Sequence, residues 1–299
     1  MNNSGVKYLA LLLLATVFWG MTFPIIKTAL DFISPVTFLA LRFTVSAIVL
    51  VPFVWRFRSK ISAHTVKLGV VAGLLLFLGY FLQTVGLDYT TSANSGIITG
   101  LYVILIPLIS YTYLKMRIFR MDIFASILAF SGLIVMSLSS ISGIGIQTGD
   151  ILTLLSAIAY AYQIAYVSKH SHEVDSFLFT FYQILVVAIL SALFIPTFEP
   201  FKFSLNDFVI FTIVFTALTA GVFSIFVSNR ALIYVEPTAA GVIFVGEPIF
   251  AALFSVILLN EKLSLLTLVG GIMMVSAMFI VTYARHVRAT GLARALSSN

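Results

Sequence analysis

Long apolar segments alternate with short charged connections along the whole chain, and this pattern limits the fold more than any other feature. Roughly 20 apolar residues are needed for a helix to cross a hydrocarbon core. Ten segments have about that length: 8–27, 36–54, 67–87, 93–114, 121–139, 150–168, 176–196, 207–229, 238–259 and 264–284. The connections are too short for a soluble domain. The expected fold class is therefore an all-α integral membrane protein, because helices satisfy their own backbone polar groups inside lipid.

Composition excludes several classes of protein. Hydrophobic residues make up 61% of the chain and charged residues only 9%, whereas soluble domains carry roughly a quarter charged residues. The chain has no cysteine, so it forms no disulfide or thiolate site. All four histidines lie in predicted connections or in the tail, and the sequence contains no P-loop. We therefore expect no cofactor, no metal, no ATP hydrolysis and no enzymatic activity.

Basic residues are distributed unequally between alternate connections. With the N-terminus in the cytoplasm, 13 of the 17 lysines and arginines fall on the cytoplasmic side and three outside, and Arg42 lies within a span. Short cytoplasmic loops carry such an excess. We therefore expect both termini in the cytoplasm, a multi-pass protein of the cytoplasmic (inner) membrane, and a basic tail, 285–299, that contacts anionic membrane lipid. The net charge of +6 is spread over these loops, so it does not indicate nucleic-acid binding.

The two halves of the chain resemble each other. A shift of 145 residues superimposes 87–118 on 232–263 with eight identities and no gap. Each half, 8–139 and 150–284, holds five predicted spans, and an odd number of spans forces the second half to insert upside down. Ten transmembrane helices in two inverted five-helix repeats are typical of secondary transporters, whose substrate site lies near the midplane between the repeats.

Several segments together resemble one known family. They are FWGMTFPIIK in the first span, LALRFTVSAIVL in the second, LDYTTSANSGIITGLYVILIPLIS entering the fourth, PTAAGVIFVGEPIFAALFSVILLNEKL through the ninth and GGIMMVSAMFIV in the tenth. In this order and spacing they resemble the EamA-type drug/metabolite transporter superfamily. The resemblance implies a ten-helix, two-repeat transporter of small organic solutes, frequently an exporter of amino acids or other metabolites. The counterpart of Trp19-Gly20 in the second half is taken as Ala161-Tyr162, which departs from the first-half pattern.

Two ionisable residues lie inside predicted spans, and such residues are functional candidates because burying a charge in lipid is costly. Glu247 lies in the ninth span directly before Pro248, where a proline loosens the helix and frees carbonyls for a solute or ion. Glu247 could carry a coupling proton, or it could be a structural group. Arg42 lies about 9 Å inside the second span at 1.5 Å per residue. It could bind a substrate carboxylate or act in gating, or it could pair with Asp31 or Asp88.

Polar side chains recur at helical spacing in four other spans. The candidates for lining a substrate path are Tyr80, Gln83 and Thr84; Thr99 and Tyr102; Tyr162 and Gln163; and Tyr182 and Gln183. Trp19 in the first span is a further candidate for a cavity wall. Hydrogen bonding between helices is the alternative role for each of these groups. The 145-residue shift places Tyr102 opposite Glu247, which supports one central chamber.

These observations favour a secondary transporter of a small solute by alternating access. A membrane-embedded protein that handles lipid or quaternary-ammonium compounds, and a facilitative uniporter without ion coupling, are the alternatives. A channel is disfavoured because no carbonyl filter or charged ring occurs. The pairs Gly69/Gly73 and Gly96/Gly100 allow close helix contact, either within one chain or between two, so a monomer or a homodimer is expected.

Overall fold

The computed structural model describes residues 3–115, 118–138, 147–197, 202–259 and 264–297, and within these ranges all regular elements are helices. The predicted all-α fold is confirmed. The helices are α1 (Asn3–Ala29), α2 (Pro35–Arg56), α3 (Ala63–Asp88), α4 (Ser92–Thr99), α5 (Tyr102–Thr112), α6 (Arg120–Ser137), α7 (Thr148–His170), α8 (Ser176–Phe194), α9 (Asp207–Thr216), α10 (Ser224–Ala231), α11 (Pro237–Phe244), α12 (Gly246–Leu259) and α13 (Leu265–Ser297). A 3₁₀ turn, Arg58–Lys60, precedes α3, and a second, Ile195–Thr197, follows α8. The predicted basic tail, 285–299, lies largely outside the residues whose side chains are described.

Nine helical segments among the described residues are long and apolar enough to cross a membrane. They coincide with nine of the ten predicted spans. The predicted span 121–139 coincides with α6, which is not among the nine. The α6 helix has 18 residues, with Arg120 and Asp122 in its first turn, and ends close to residues 139–146, which lie outside the described ranges. The chain is thus a multi-pass membrane protein.

Two of the predicted continuous spans are broken helices. The span predicted at 93–114 is interrupted at Gly100 and Leu101 between α4 and α5, and the span predicted at 238–259 is interrupted at Val245 between α11 and α12. The two breaks occur at equivalent positions of the repeats. Pro248 lies in the first turn of α12, where its missing N–H costs no helical hydrogen bond. It therefore marks where the helix begins again.

The span predicted at 207–229 contains a π-helical segment, Ala217–Phe223, between α9 and α10. Single turns of π-helix often occur at functional sites. The segment faces α2, where Ser46 Oγ donates to the carbonyl of Ala217 at 3.0 Å. It also contacts α1, so one irregular turn connects two helices of the first repeat.

The two repeats pack around an approximate two-fold relation. The 145-residue shift superimposes α1 on α7, α2 on α8, α3 on the α9–α10 segment, α4–α5 on α11–α12, and α6 on α13. Equivalent helices then pack against each other, as α2 does with α8 and α6 with α13. Other contacts occur in matched pairs: α3 packs on α7 as α9–α10 packs on α1, and α4 packs on α12 as α11 packs on α5.

The small-residue pairs pack within this chain. An added Cβ at Gly69 would lie 2.5 Å from the Cβ of Tyr182, and one at Gly73 would lie 2.8 Å from the Cβ of Val186. Gly100 faces Leu133 of α6 in the same way. These glycines therefore allow close helix contact inside the bundle.

Candidate substrate-binding cavity

One cavity lies between the two repeats. Its volume is about 810 Å³, including the part open to solvent. Its walls combine charged, hydrogen-bonding and aromatic groups with aliphatic ones: Trp19, Thr22, Phe23, Ile26, Arg42, Leu76, Tyr80, Gln83, Thr84, Leu87, Thr99, Tyr102, Tyr160, Gln163, Ile164, Ile225, Ser228, Asn229, Phe244 and Glu247. An apolar pocket with a few convergent polar groups is the usual form of a small-molecule site.

Twelve of the lining residues form six pairs that the 145-residue shift relates. The pairs are Trp19 with Ile164, Tyr80 with Ile225, Gln83 with Ser228, Thr84 with Asn229, Thr99 with Phe244, and Tyr102 with Glu247. Equivalent positions of both repeats therefore face the same space, so the cavity lies on the axis that relates them. In three of the pairs, the first repeat contributes a polar or aromatic side chain and the second repeat an apolar one. The wall formed by the first repeat therefore differs chemically from the wall formed by the second.

Arg42 is the cation of the cavity and is only 2% exposed. Its guanidinium carbon lies 5.1 Å from the ring centre of Tyr80 and 5.2 Å from that of Phe43, within the range of cation–π attraction. Its buried Nε has no hydrogen-bond partner among the described residues. In the described part of the chain, Arg42 forms no ion pair with Asp31 or Asp88, so the pairing considered from the sequence is not found.

Glu247 is the acid of the cavity and is 7% exposed. Tyr102 Oη donates a hydrogen bond to its Oε2 at 3.2 Å. Glu247 occupies the first turn of α12, directly after the break at Val245, and carboxylates are favoured at helix N-termini. In the part of the chain that is described, Glu247 forms no ion pair with Arg42. A basic and an acidic side chain therefore line one cavity without pairing with each other.

Hydrogen bonds hold several of the polar side chains that line the cavity. Tyr160 Oη donates to Gln83 Oε1 at 3.0 Å, and Gln83 Nε2 donates to Thr99 Oγ1 at 2.9 Å. This chain links α7 of the second repeat to α3 and α4 of the first. Trp19 Nε1 donates to the carbonyl of Ala220 in the π-helical segment at 3.1 Å. The side chains are therefore held in defined orientations before a solute arrives.

The cavity brings together nine of the predicted lining residues: Trp19, Arg42, Tyr80, Gln83, Thr84, Thr99, Tyr102, Gln163 and Glu247. Three predicted residues lie elsewhere. Tyr162 is 47% exposed on the outer surface of α7, Tyr182 packs against Gly69, and Gln183 is fully buried behind the wall, where it accepts a hydrogen bond from Gln163 Nε2 at 2.9 Å. Pro248 follows Glu247 in α12 but does not line the cavity.

The prediction that Ala161-Tyr162 is the counterpart of Trp19-Gly20 is also wrong. Ala161 is fully buried away from the cavity, and Ile164 lines it at the position equivalent to Trp19. Sequence reasoning also missed Thr22, Ser228 and Asn229. The shift that relates the repeats would have found the last two, because it superimposes Gln83 and Thr84 on Ser228 and Asn229. Among the described residues, no group of three or more acidic or histidine side chains could hold a metal.

Comparisons with known proteins identify the fold and the family. A 19% identical solved structure, described only as the crystal structure of a protein, superimposes with a TM-score of 0.75 over 97% of this chain and 99% of its own, so the two share a fold. An uncharacterized transporter of Archaeoglobus fulgidus is 37% identical over 273 residues, 91% of this chain and 84% of the relative. The uncharacterized transporter YvbV of Bacillus subtilis is 27% identical over 83% of this chain and 87% of its own length. The sequence model of the EamA-like transporter family matches twice, at residues 6–138 and 147–283. With both of its repeats matched, the chain belongs to the EamA-like transporter family.

Proposed function

We propose that this chain is a secondary transporter that moves a small organic solute, an amino acid or a similar metabolite, out of the cell by alternating access. The observation that carries the proposal is the cavity on the axis between the repeats, lined by six equivalent pairs of residues. A site on such an axis can open to either side when the repeats rock in opposite directions. The family supports transport as the activity.

The charges of the cavity favour a zwitterionic solute. A planar guanidinium matches a carboxylate, and Arg42 lines the cavity. Glu247 offers an acceptor for an ammonium group, and the rings of Trp19 and Phe244, 5.3 Å apart, add aromatic surface to the same cavity. A solute with both charges would find one partner for each of its charged groups.

The topology proposed with this function has ten spans, with α6 as the tenth, two inverted repeats at 8–139 and 150–284, and both termini in the cytoplasm. The excess of basic residues on one side of the bundle supports that orientation. The proposed location is the cytoplasmic membrane. Glu247 is the proposed coupling group, because its carboxyl is buried in the cavity beside Tyr102 and could exchange a proton with whichever side is open.

Counterflow in proteoliposomes tests the proposal. Vesicles that contain the full-length protein are loaded with one unlabelled amino acid at a time, and uptake of the same labelled amino acid is measured from trace concentrations outside. Transient accumulation that saturates with concentration identifies a carrier. If no amino acid shows counterflow or raises the thermal midpoint of the purified protein, the proposed substrate class is wrong, because a ligand stabilises the state that it binds.

The Glu247→Gln variant separates proton coupling from facilitated transport. We expect it to lose the response of net flux to an imposed proton gradient and to keep counterflow, which needs no net proton movement, with a weaker apparent affinity because an amide replaces the acceptor for the ammonium group. An unaltered response to the proton gradient would favour the facilitative uniporter. Binding of quaternary ammonium compounds without saturable amino-acid flux would favour the alternative of a protein that handles lipid or quaternary-ammonium compounds.

A further inference from the structure

The two faces of the bundle are each closed by a pair of connections, one from each repeat. At one face the α1–α2 connection, 30–34, meets the segment before α9, 202–206. At the other face the α2–α3 connection, 57–62, meets the α7–α8 turn, 171–175. The 145-residue shift relates the two arrangements, since it superimposes 30–34 on 175–179 and 57–62 on 202–207. They are therefore equivalent positions for the gates of a two-repeat carrier.

The first pair, which we call the backbone gate, is held by main-chain hydrogen bonds. Ile33 and Phe203 form an antiparallel bridge, and the Ser204 amide donates to the carbonyl of Phe32 at 3.0 Å. The amide of Ser34 donates to the carbonyl of Lys202 at 2.9 Å, and the amide of Lys202 donates to Ser34 Oγ at 2.7 Å. None of these main-chain groups, nor the Ser34 hydroxyl, changes its charge near neutral pH. The hydrogen bonds of the backbone gate therefore have the same strength across the pH range around neutrality.

The second pair, which we call the ionic gate, is held by charged side chains. Lys60 Nζ lies 2.8 Å from Asp175 Oδ2, and His64 Nε2 lies 2.8 Å from Glu173 Oε2. Both contacts join the first repeat to the second. The ring of Phe57 stacks on that of Phe177 at 5.4 Å and adds an apolar contact between the repeats. The 145-residue shift superimposes Phe57 on Lys202 and Phe32 on Phe177. The equivalent positions of the backbone gate therefore hold one lysine and one phenylalanine instead of two stacked rings.

The acidic groups of the ionic gate are held in their charged form. Hydrogen bonds from His170 and from His64 place the pKa of Glu173 below its ordinary value. Partial burial alone would raise the pKa of Asp175. Hydrogen bonds from Lys60 and from the Phe177 amide outweigh this effect, so the pKa of Asp175 also lies below its ordinary value. Glu173 is thus an anion near neutral pH, and the charge state of its imidazole partners decides the strength of the contact.

The elements near Glu173 carry further titratable and charged groups. They are Arg58 and Lys60 in the 3₁₀ turn; His64 and Lys67 in α3; Tyr113 and Lys115 after α5; Tyr166, Lys169 and His170 in α7; His172 and Asp175 in the α7–α8 turn; and Arg230 in α10. His64 and His170 both contact Glu173, but only His64 belongs to the other repeat. Histidine is the side chain that ordinarily changes charge between pH 5 and 8.

We propose that the ionic gate is a pH-sensitive latch: protonation of His64 strengthens its contact with Glu173 and shifts the transporter toward the state that is closed at this face, whereas the contacts that hold the backbone gate contain no group that changes its charge near neutral pH. A neutral imidazole gives Glu173 a hydrogen bond, and an imidazolium adds the attraction of opposite charges. The latch is therefore strongest where the histidine is charged and Glu173 is still ionised. Because the pKa of Glu173 is lowered in the closed state, its contribution persists until the pH falls below its ordinary range.

The effect is expected to be modest, because exposed ion pairs are weak. A single pair would change the ratio of closed to open molecules by roughly two- to fivefold. That is enough to reset the balance between inward-facing and outward-facing states when their populations are similar. The consequence for flux depends on the proposed carrier function, but the change in gate distance does not.

Spin labels can report both gates, because the chain has no cysteine of its own. One reporter carries Ser59→Cys and His172→Cys across the ionic gate, and the other carries Asp31→Cys and Leu205→Cys across the backbone gate; all four positions are exposed. Distance distributions of the full-length protein in lipid nanodiscs are measured at pH 5.5 and pH 8 without substrate. His172→Cys also removes the imidazole of His172, which leaves His64 and His170, the two histidines that contact Glu173.

We expect the ratio of short to long distances across the ionic gate to rise roughly two- to fivefold at pH 5.5, and to be independent of pH in the His64→Gln variant. His170→Gln is the matched control, because His170 contacts the same carboxylate from within its own repeat; the pH response should remain. An unchanged ratio in the parent protein, or an undiminished response in His64→Gln, would overturn the latch. Loss of counterflow with a normal distance response would instead count against the proposed function alone.

Discussion

Tyr102 Oη donates to Glu247 Oε2 at 3.2 Å, and the two residues occupy the same position in the two repeats, 145 residues apart. A residue can contact its own equivalent only if both lie close to the axis that relates the repeats. Gly96 and Gly241, the equivalent glycines six residues before each of these two, repeat the pattern: Gly96 faces Ala251, and Gly241 faces Ile106, which is the equivalent of Ala251. The Tyr102–Glu247 contact therefore locates the axis inside the cavity.

Loss of the Tyr102 hydroxyl should weaken both stability and transport. Tyr102→Phe removes the hydroxyl that donates to the buried carboxyl of Glu247, and such a loss costs about 1–3 kcal/mol when the group stays unsatisfied. We expect a lower thermal midpoint in detergent and slower counterflow. Tyr111→Phe on the same helix is the control, because Tyr111 is 61% exposed. Equal midpoints for Tyr102→Phe and the parent protein would contradict the structural role of the contact.

The planar fork of Arg42 should matter more than its charge. Arg42→Lys keeps one positive charge but loses bidentate hydrogen bonding and stacking on Tyr80 and Phe43. We expect the apparent KM for a zwitterionic solute to rise at least about tenfold, since one good charge-assisted hydrogen bond contributes roughly 1.5–3 kcal/mol. Kinetics of counterflow in proteoliposomes measure this change. An unchanged KM would show that Arg42 does not hold the carboxylate.

The sequence predicts those features whose signal is local. Apolar length gives the spans, and a charge inside an apolar run identifies Arg42 and Glu247 directly, because no other residue type is as costly in lipid. Pro248 predicts a loosened turn in the ninth span, but not the position of the break at Val245, which is neither glycine nor proline. Asn229, whose Nδ2 donates to Thr180 Oγ1 at 2.8 Å, is a single amide at the end of a span, and only the shift that relates the repeats identifies it. Its hydrogen bond and the position of the break depend on contacts between helices distant in sequence.

The contact between α1 and α12 should tolerate no side chain at Gly20. A Cβ there would lie 2.6 Å from both the carbonyl of Glu247 and the Cβ of Phe250, so the two helices would have to separate. Gly20→Ala should destabilise the protein by about 1–3 kcal/mol, as overpacking does in cores. Gly271→Ala is the matched control, because nothing lies within 4 Å of its added Cβ. Thermal midpoints of the two variants in the same detergent test this, and an equal effect of both would contradict the tight packing.

Tyr160 and Tyr162 give the sharpest comparison, because two residues separated by two positions project about 200° apart on a helix. Tyr160 lines the cavity and donates to Gln83, whereas Tyr162 is 47% exposed on the outside. Tyr160→Phe leaves Gln83 Oε1 without this donor, so the orientation of Gln83 and its bond to Thr99 should loosen. We expect counterflow to fall several-fold for Tyr160→Phe and to remain at the parent level for Tyr162→Phe. The opposite ranking, measured at matched protein density in proteoliposomes, would mean that the solute path runs along the other face of α7.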